Sequence, residues 1–326
     1  MDAQLTHRIL EITEGSAITN VQVVQSLWSG YGELLKCKIA GSQHSSVIVK
    51  HIQLPAQLQH PRGWNTHRSH ERKRKSYLVE MEWYRGLANR TTVQCRIPRV
   101  LETWELKGEM GIVMEDLDSA GYSVRKSQVS MEDIQTCLRW LAHFHGTYMH
   151  VTPVGLWEIG SYWHLNTRPD EWESMEDQEL KQAASAIDKQ LNTAKYQTII
   201  HGDAKLANFC FAAEGNAVAA VDFQYVGGGC GMKDVAYFLS SCLHEAACEQ
   251  HEEALLEYYF SRLKEALDKK SLLVDFEELK NEWNMLYRYA WADFYRFLDG
   301  WSPGHWKMHR YSRRIKQQVL DELVGS

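Results

Sequence analysis

Hydrophobic and polar positions change rhythm once along this chain. In the first 115 positions the apolar residues gather in short runs at 21–24, 34–39, 47–50, 97–100 and 110–114, bounded by Gly, Pro or polar residues. Runs of that length and make-up predict strands. Gly30 and Gly32 separate the first two, which then form a β-hairpin whose tip lets backbone approach a ligand closely. One helix interrupts the series near 76–84, where Leu78, Met81 and Tyr84 recur at spacing three and face a core.

Beyond the acidic stretch 115–118 the period lengthens to that of a helix. In 131–145, Ile134, Cys137, Leu138, Leu141 and Phe144 share one face, and helical patterning dominates from there on. Two short exceptions matter. An apolar run ends at Ile200, and 208–211 and 217–221 read as strands joined by the turn Glu214-Gly215-Asn216. The glycine-rich 227–231 reads as a flexible turn before a helix that contains Asp234, which either caps that helix or accepts hydrogen bonds from the loop at 201–208.

With 326 residues, 44% hydrophobic and 24% charged, the chain is long enough for two lobes with sizeable cores. The formal charge of −6 argues against nucleic acid as a partner. The one basic tract, 60–75, reads as a mobile solvated loop, or as a contact for an anionic group through Arg62 and Arg68. Seven cysteines without Cys-x-x-Cys spacing, and no apolar leader after Met1, point to reduced thiols in a cytoplasm and no structural zinc. No apolar run approaches membrane-spanning length.

The chemistry concentrates in His201-Gly202-Asp203-Ala204-Lys205-Leu206-Ala207-Asn208 and, across the hairpin, Val221-Asp222-Phe223. Phosphoryl transfer needs a carboxylate to orient and deprotonate a hydroxyl, and oxygen ligands that hold Mg²⁺ on a triphosphate. Asp203, Asn208 and Asp222 suit those roles, and the hairpin brings Asn208 and Asp222 to one end of its ladder. Upstream, Lys50 ends an apolar strand, as a lysine that reaches nucleotide phosphates does, with Glu80 rather than Glu82 as its partner. The run ending in Met114 and Glu115 suits an adenine hinge. His143 and His145, two apart on a helix, point to different sides and read as structural. The aromatic stretch 283–306 reads partly as core and partly as the wall of an acceptor site, with Trp291, Asp293 and Trp301 as candidates.

With these pieces in this order, the chain resembles the aminoglycoside phosphotransferase and choline kinase superfamily, and within it the ecdysteroid-kinase-like branch. His-Gly-Asp-x-x-x-x-Asn and Val-Asp-Phe-Gln are its most specific pieces, and the resemblance runs from the Ser29 loop to 301–306. It implies an α+β, bilobal protein-kinase-like fold, with an antiparallel sheet lobe at 1–116 and a mostly helical lobe at 117–326. It also implies Asp203 as catalytic base, Asn208 and Asp222 as Mg²⁺ ligands, and Lys50 on the ATP phosphates with Glu80 behind it. Adenine would sit beyond Met114, bonded to the Glu115 carbonyl and Leu117 amide, with Gly30 and Gly32 in the loop over the phosphates. Gln224 departs from the glycine of protein kinases, and the short path from Asp222 to the next helix leaves little room for an activation segment. Lys205 is placed to neutralise the transferring phosphoryl group. The implied function is phosphorylation of a small hydroxylated acceptor; the alternative is a nucleotide- or ligand-binding pseudokinase.

Overall fold

The structure is a computed structural model that describes residues 1–27, 30–53, 67–106, 108–270 and 272–325. Its amino-terminal lobe is a five-stranded antiparallel sheet of β1 (Ala17–Ser26), β2 (Gly32–Ala40), β3 (Ser46–Gln53), β4 (Val100–Leu106) and β5 (Glu109–Glu115), in the order β1-β2-β3-β5-β4. A helix not foreseen from the pattern, α1 (Ala3–Thr13), covers one face, and α2 (His67–Arg85) covers the other. Asp2 starts α1 by accepting the Leu5 amide at 2.7 Å, which satisfies one of the helix's orphan donors.

Strand parity decides which residue meets which helix. Val47 and Val49 join Leu35, Cys37 and Val113 beneath Leu5 and Ile9 of α1. Ile48 and Ile52 pack instead with Tyr77 and Met81 of α2. Lys50 has the parity of Ile48 and Ile52, so its ammonium is carried toward α2, under a strand that continues past the lysine to Gln53.

The remainder is helical, with α3 (Met131–Thr147), α4 (Pro169–Glu173), α5 (Gln178–Asn192), α6 (Met232–Cys242), α7 (Glu245–Lys269), α8 (Phe276–Trp301) and α9 (Arg310–Val324) around one large core. Two small antiparallel pairs sit at its upper edge: β6 (Thr198–Ile200) with β9 (Gly227–Gly229), and β7 (Phe209–Phe211) with β8 (Val218–Ala220). No helix among the described residues is long and apolar enough to cross a membrane. All seven cysteines are free thiols.

Four local expectations change. The basic tract is not a loop over 67–75 but the first half of α2, whereas 54–66, including Arg62, lies outside the described residues. The strand expected at 97–100 begins only at Val100; before it, Arg96 bridges to Ala219 and ties the sheet lobe to β8. On α2, Met81 is buried, but Leu78 and Tyr84 are only half-buried, and the deepest face is that of Ser76, Tyr77, Glu80 and Trp83. The glycines at 227–229 are strand rather than flexible turn. A Cβ on Gly227 would lie 2.2 Å from the Trp157 carbonyl, and one on Gly228 2.6 Å from the Glu158 carbonyl, so side chains are excluded where the 157–160 loop crosses.

Gly227→Ala is therefore expected to lower stability by about 2 kcal/mol, the scale of a steric insertion into a packed interior. Gly215→Ala, in a turn with nothing within 4 Å but a φ of +89°, should cost only about 1 kcal/mol. Urea midpoints at constant m-value check both.

Candidate active site

A cleft of about 660 Å³ lies between the sheet and the helical lobe. Apolar side chains close one end from above and below: Leu34 of β2, Ile48 of β3 and Met114 of β5 face Leu117, Cys210 and Val221. Glu115 is fixed by Arg96 and by the Arg99 amide at 2.6 Å, and Lys36 reaches across to Asp116 at 2.8 Å and Asp118 at 2.9 Å. Burial of Asp116 favours its acid form, yet Lys36, Ser46 and Ser119 outweigh it and hold the carboxyl below the usual range. This chain of bonds stiffens the link between the lobes.

Of the hairpin tip, Val24, Gln25, Leu27 and Tyr31 line the cleft. Gly30 and Gly32 have φ of +75° and +122°, and a Cβ on Gly32 would lie 2.1 Å from the His51 carbonyl. Gly32 thus serves the close pairing of β2 with β3, and neither glycine lines the cleft.

At the centre, Lys50 Nζ lies 2.6 Å from Glu80 and 3.1 Å from Asp222. Burial pulls the lysine toward neutrality, but Asp222 and Glu80 outweigh it and hold its pKa above the ordinary value. Glu82 is exposed and bonds Arg85 at 2.7 Å. Asp222 is held well below the usual carboxylate range: burial opposes this, and Lys50, Lys73 and Lys205 prevail.

Gln224 extends the cluster. Its Nε2 donates to Asp222, while its Oε1 accepts Lys73 at 2.7 Å and Ser76 at 3.1 Å. Lys73, Ser76, Tyr77 and Glu80 share one face of α2, and the Tyr77 ring lies 5.7 Å from the Lys50 ammonium and 4.7 Å from that of Lys73. Lys73 was not singled out by the pattern; its position seven residues before Glu80 on a helix was the available signal. Arg68 is exposed, 4.0 Å from Asp170, and does not line the cleft; Ser69, His70, Arg72 and Lys73 do.

The catalytic-loop candidates are built from below. Asp234 accepts the His201 amide at 2.6 Å and the Gly202 amide at 2.9 Å, and it also meets His145 Nε2 at 3.1 Å. Of its two expected roles it therefore takes the second, while Gly231 occupies the cap. His201 accepts the Asp203 amide on Nδ1 and bonds the Val221 carbonyl through Nε2 at 3.0 Å. Asp203 Oδ2 holds Lys205 at 3.0 Å and Asn208 at 3.2 Å, whereas the buried Oδ1 lies outside the geometry of any hydrogen bond, although the Tyr237 hydroxyl is close enough to Asp203 to couple to it. Burial raises the Asp203 pKa against the pull of Lys205, and Asp222 adds to the rise.

Asp222 stands at φ +70°, a left-handed conformation worth about 1 kcal/mol of strain for a residue with a Cβ. Asn208 donates its side-chain NH₂ to Asp203, which turns its side-chain oxygen away from that bond and leaves it able to act as a ligand. That oxygen and the ionised Asp222 fit a divalent cation that draws its remaining ligands from water and phosphate.

The acceptor candidates divide. Trp301 lines the cleft beside Phe297, Tyr162, Tyr225 and Tyr237. Trp291 and Asp293 do not. Trp291 is packed edge-on against Tyr311 of α9 at 5.3 Å, and Asp293 is fully buried between Arg296 and the Trp163 indole, at 2.8 and 3.0 Å. They are core residues because their faces of α8 meet protein. Tyr162, Tyr225 and Arg168 of the same half come from segments without periodicity.

A match to a known family coincides with this floor. Residues 160–272 match the ecdysteroid kinase-like family. That agrees with the branch named from the motif, since 201–224 all fall within the match. No curated protein matches the chain. Among solved structures, the chain superposes on a microcompartment-associated aminopropanol kinase with TM-score 0.54 and 15% identity, over 99% of this chain and 95% of that one. A choline kinase from Cryptosporidium parvum gives 0.58 and 11%, over 99% and 96%. An amicoumacin kinase in complex with AMP-PNP, Ca²⁺ and Ami gives 0.52 and 13%, over 99% and 94%. At these identities the likeness is one of fold, the bilobal α+β fold of small-molecule kinases.

Removing Asp234 leaves two buried amides without an acceptor, so Asp234→Ala should cost about 3 kcal/mol. Asp234→Asn should cost less, since one amide keeps its acceptor. Chemical denaturation of both variants, compared with wild type, checks the order.

Proposed function

We propose that this chain is an ATP- and Mg²⁺-dependent kinase that phosphorylates a hydroxyl group of a small molecule. The observation that carries the reading is the Asp203 carboxylate, buried beside Asn208, with its Oδ1 outside the geometry of any hydrogen bond and with Tyr162 and Tyr237 of the cleft as neighbours. An acceptor hydroxyl supplies the missing donor. Asp203 then orients that hydroxyl and takes its proton as the new O–P bond forms.

Lys50, held charged by Glu80, binds the nucleotide phosphates, and Lys205 lies where it can neutralise the transferring group. Bound through Asn208 and Asp222, Mg²⁺ would offset charge on the phosphate oxygens. The Glu115 carbonyl and Leu117 amide, beside Met114, suit adenine. A small acceptor is favoured because α6 starts at Met232, soon after Asp222, with no extended segment between them to dock a protein substrate. A pseudokinase remains the rival reading, and the presence of every ionic group of the reaction supports activity.

Asp203→Asn keeps the shape and removes the base, so kcat should fall by roughly 10²-fold with nucleotide affinity nearly unchanged. Its stability at neutral pH should be equal or higher. The sign follows from linkage: a raised carboxyl pKa means the fold holds the proton more tightly, so stability is lost as pH climbs through that pKa, and a neutral amide escapes the loss. Unchanged turnover of this variant would overturn the mechanism.

The acid limb of kcat/KM should lie above the ordinary aspartate value of 3.8, because Asp203 must be ionised to act. Lys205→Met removes the cation that opposes this rise, and should move the limb to still higher pH. Asp222→Ala should abolish the Mg²⁺ dependence of ATP affinity in calorimetry. Trp301→Ala should raise the acceptor KM more than the ATP KM, while Trp291→Ala should lower thermal stability and leave the KM ratio unchanged.

A further inference from the structure

The acceptor half of the cleft has an unusual charge pattern. Asp203 is its only carboxylate among the described residues, since the cleft's others sit at the hinge (Glu115, Asp116, Asp118) or on Lys50 (Glu80, Asp222). Arg72 and Arg168 line the same half as Tyr162, Phe297 and Trp301.

Aromatic walls by themselves would suit an ammonium ion. Here the rings already face a protein cation, because the Arg168 guanidinium lies 5.7 Å from the Tyr162 ring centre and 5.5 Å from that of Phe297. It is anchored by the Tyr162 carbonyl and by buried Glu171 at 3.0 Å. Arg72 reaches the same corner from α2. It donates to the Thr167 carbonyl at 2.7 Å, one residue before Arg168, and to Ser69 at 3.5 Å, and it has no carboxylate within ion-pair distance among the described residues. The two guanidiniums repel each other, and burial together with Arg168 holds the Arg72 pKa below its usual value. Glu171 pairs with Arg168, and Glu171 and Asp170 act on Arg72 only from beyond ion-pair distance. An ammonium entering here would meet two cations and find the Tyr162 and Phe297 rings already faced by one of them, whereas an oxyanion would offset the two charges with planar donors suited to it.

We propose that Arg72 and Arg168 form an anion subsite in the acceptor half, so that the acceptor is a hydroxylated ring compound bearing a carboxylate or similar oxyanion and not an amine. The proposal rests on the kinase reading for the word acceptor, but the subsite is testable by binding alone.

The probes are two hydroxy acids, 6-hydroxy-2-naphthoate and a monohydroxy cholanate, each paired with its uncharged methyl ester. Affinities are measured by tryptophan fluorescence on the full chain with saturating AMP-PNP and Mg²⁺, so that the nucleotide's own phosphates are already bound. Wild type should prefer at least one acid over its ester by about 10-fold, the scale of one charge-assisted pair, with the preference shrinking at high salt. Arg72→Gln should bring that ratio close to one, and Arg72→Lys should keep part of it, with AMP-PNP affinity changed by less than about 2-fold in both.

Equal or tighter binding of both esters, or no binding of any probe, overturns the proposal. So does a ratio that Arg72→Gln leaves intact while only the melting temperature falls, which would make Arg72 a tether of α2 to the 165–167 turn. Loss of AMP-PNP affinity in Arg72→Gln with the ratio unchanged assigns the guanidinium to the nucleotide and also overturns it. If wild type fails to bind AMP-PNP yet keeps the acid preference, the kinase reading fails and the subsite stands.

Discussion

Lys50 leaves water to sit between Glu80 and Asp222, and the organisation of the cleft follows from what that burial demands. A charge in such a place is costly unless it is paired, and removing one partner of a buried pair typically costs about 3–5 kcal/mol because the other is left uncompensated. The three groups come from β3, from α2 and from the turn after β8. The cluster therefore holds the sheet, its helix and the lower lobe in one register, and it keeps Asp222 ionised in a setting that would otherwise favour the acid.

Around that cluster the α2 helix acts as a shared wall. Its inner face sends Glu80 to Lys50, Ser76 and Lys73 to Gln224, and Trp83 onto Phe223, stacked at 5.0 Å. Gln224 occupies a place where a glycine would leave nothing to bridge. With its amide between Lys73 and Asp222, the turn that carries the metal-ligand candidate is fastened to the same helix that fastens the lysine. A displacement of α2 would disturb all of these contacts together.

The floor of the cleft is arranged in the opposite sense, with one group left incomplete. Asp234 satisfies the amides of the loop, and Lys205 and Asn208 satisfy one oxygen of Asp203, but Oδ1 is buried outside the geometry of any hydrogen bond, with the Tyr237 hydroxyl nearby. An orphaned carboxylate oxygen is unfavourable for folding and useful for chemistry, because it raises the proton affinity of the group that must receive one. Stability and reactivity pull in different directions at this single atom.

The sequence by itself determined much of this. Short apolar runs bounded by turn residues marked four of the five strands of the sheet, and Lys50 stood out in the third by alternating with apolar neighbours; the 201–208 and 221–223 motifs named the floor, and helical spacing separated Glu80 from Glu82. These are local properties, set by backbone geometry over a few residues. Which buried face meets protein and which meets the cleft is not local. Trp291 and Trp301 are both aromatic residues of α8, yet α9 covers the first and the cleft takes the second. Asp293 read as a candidate for the acceptor wall, and nothing local announced that Arg296 neutralises it inside the core. Lys73 lay in a tract whose helical state only its packing against Gln224 and Tyr77 revealed. Tyr162, Arg168 and Tyr225 stand in aperiodic segments, where no repeat announces a direction, so only the packing of the lobes could bring them to one wall.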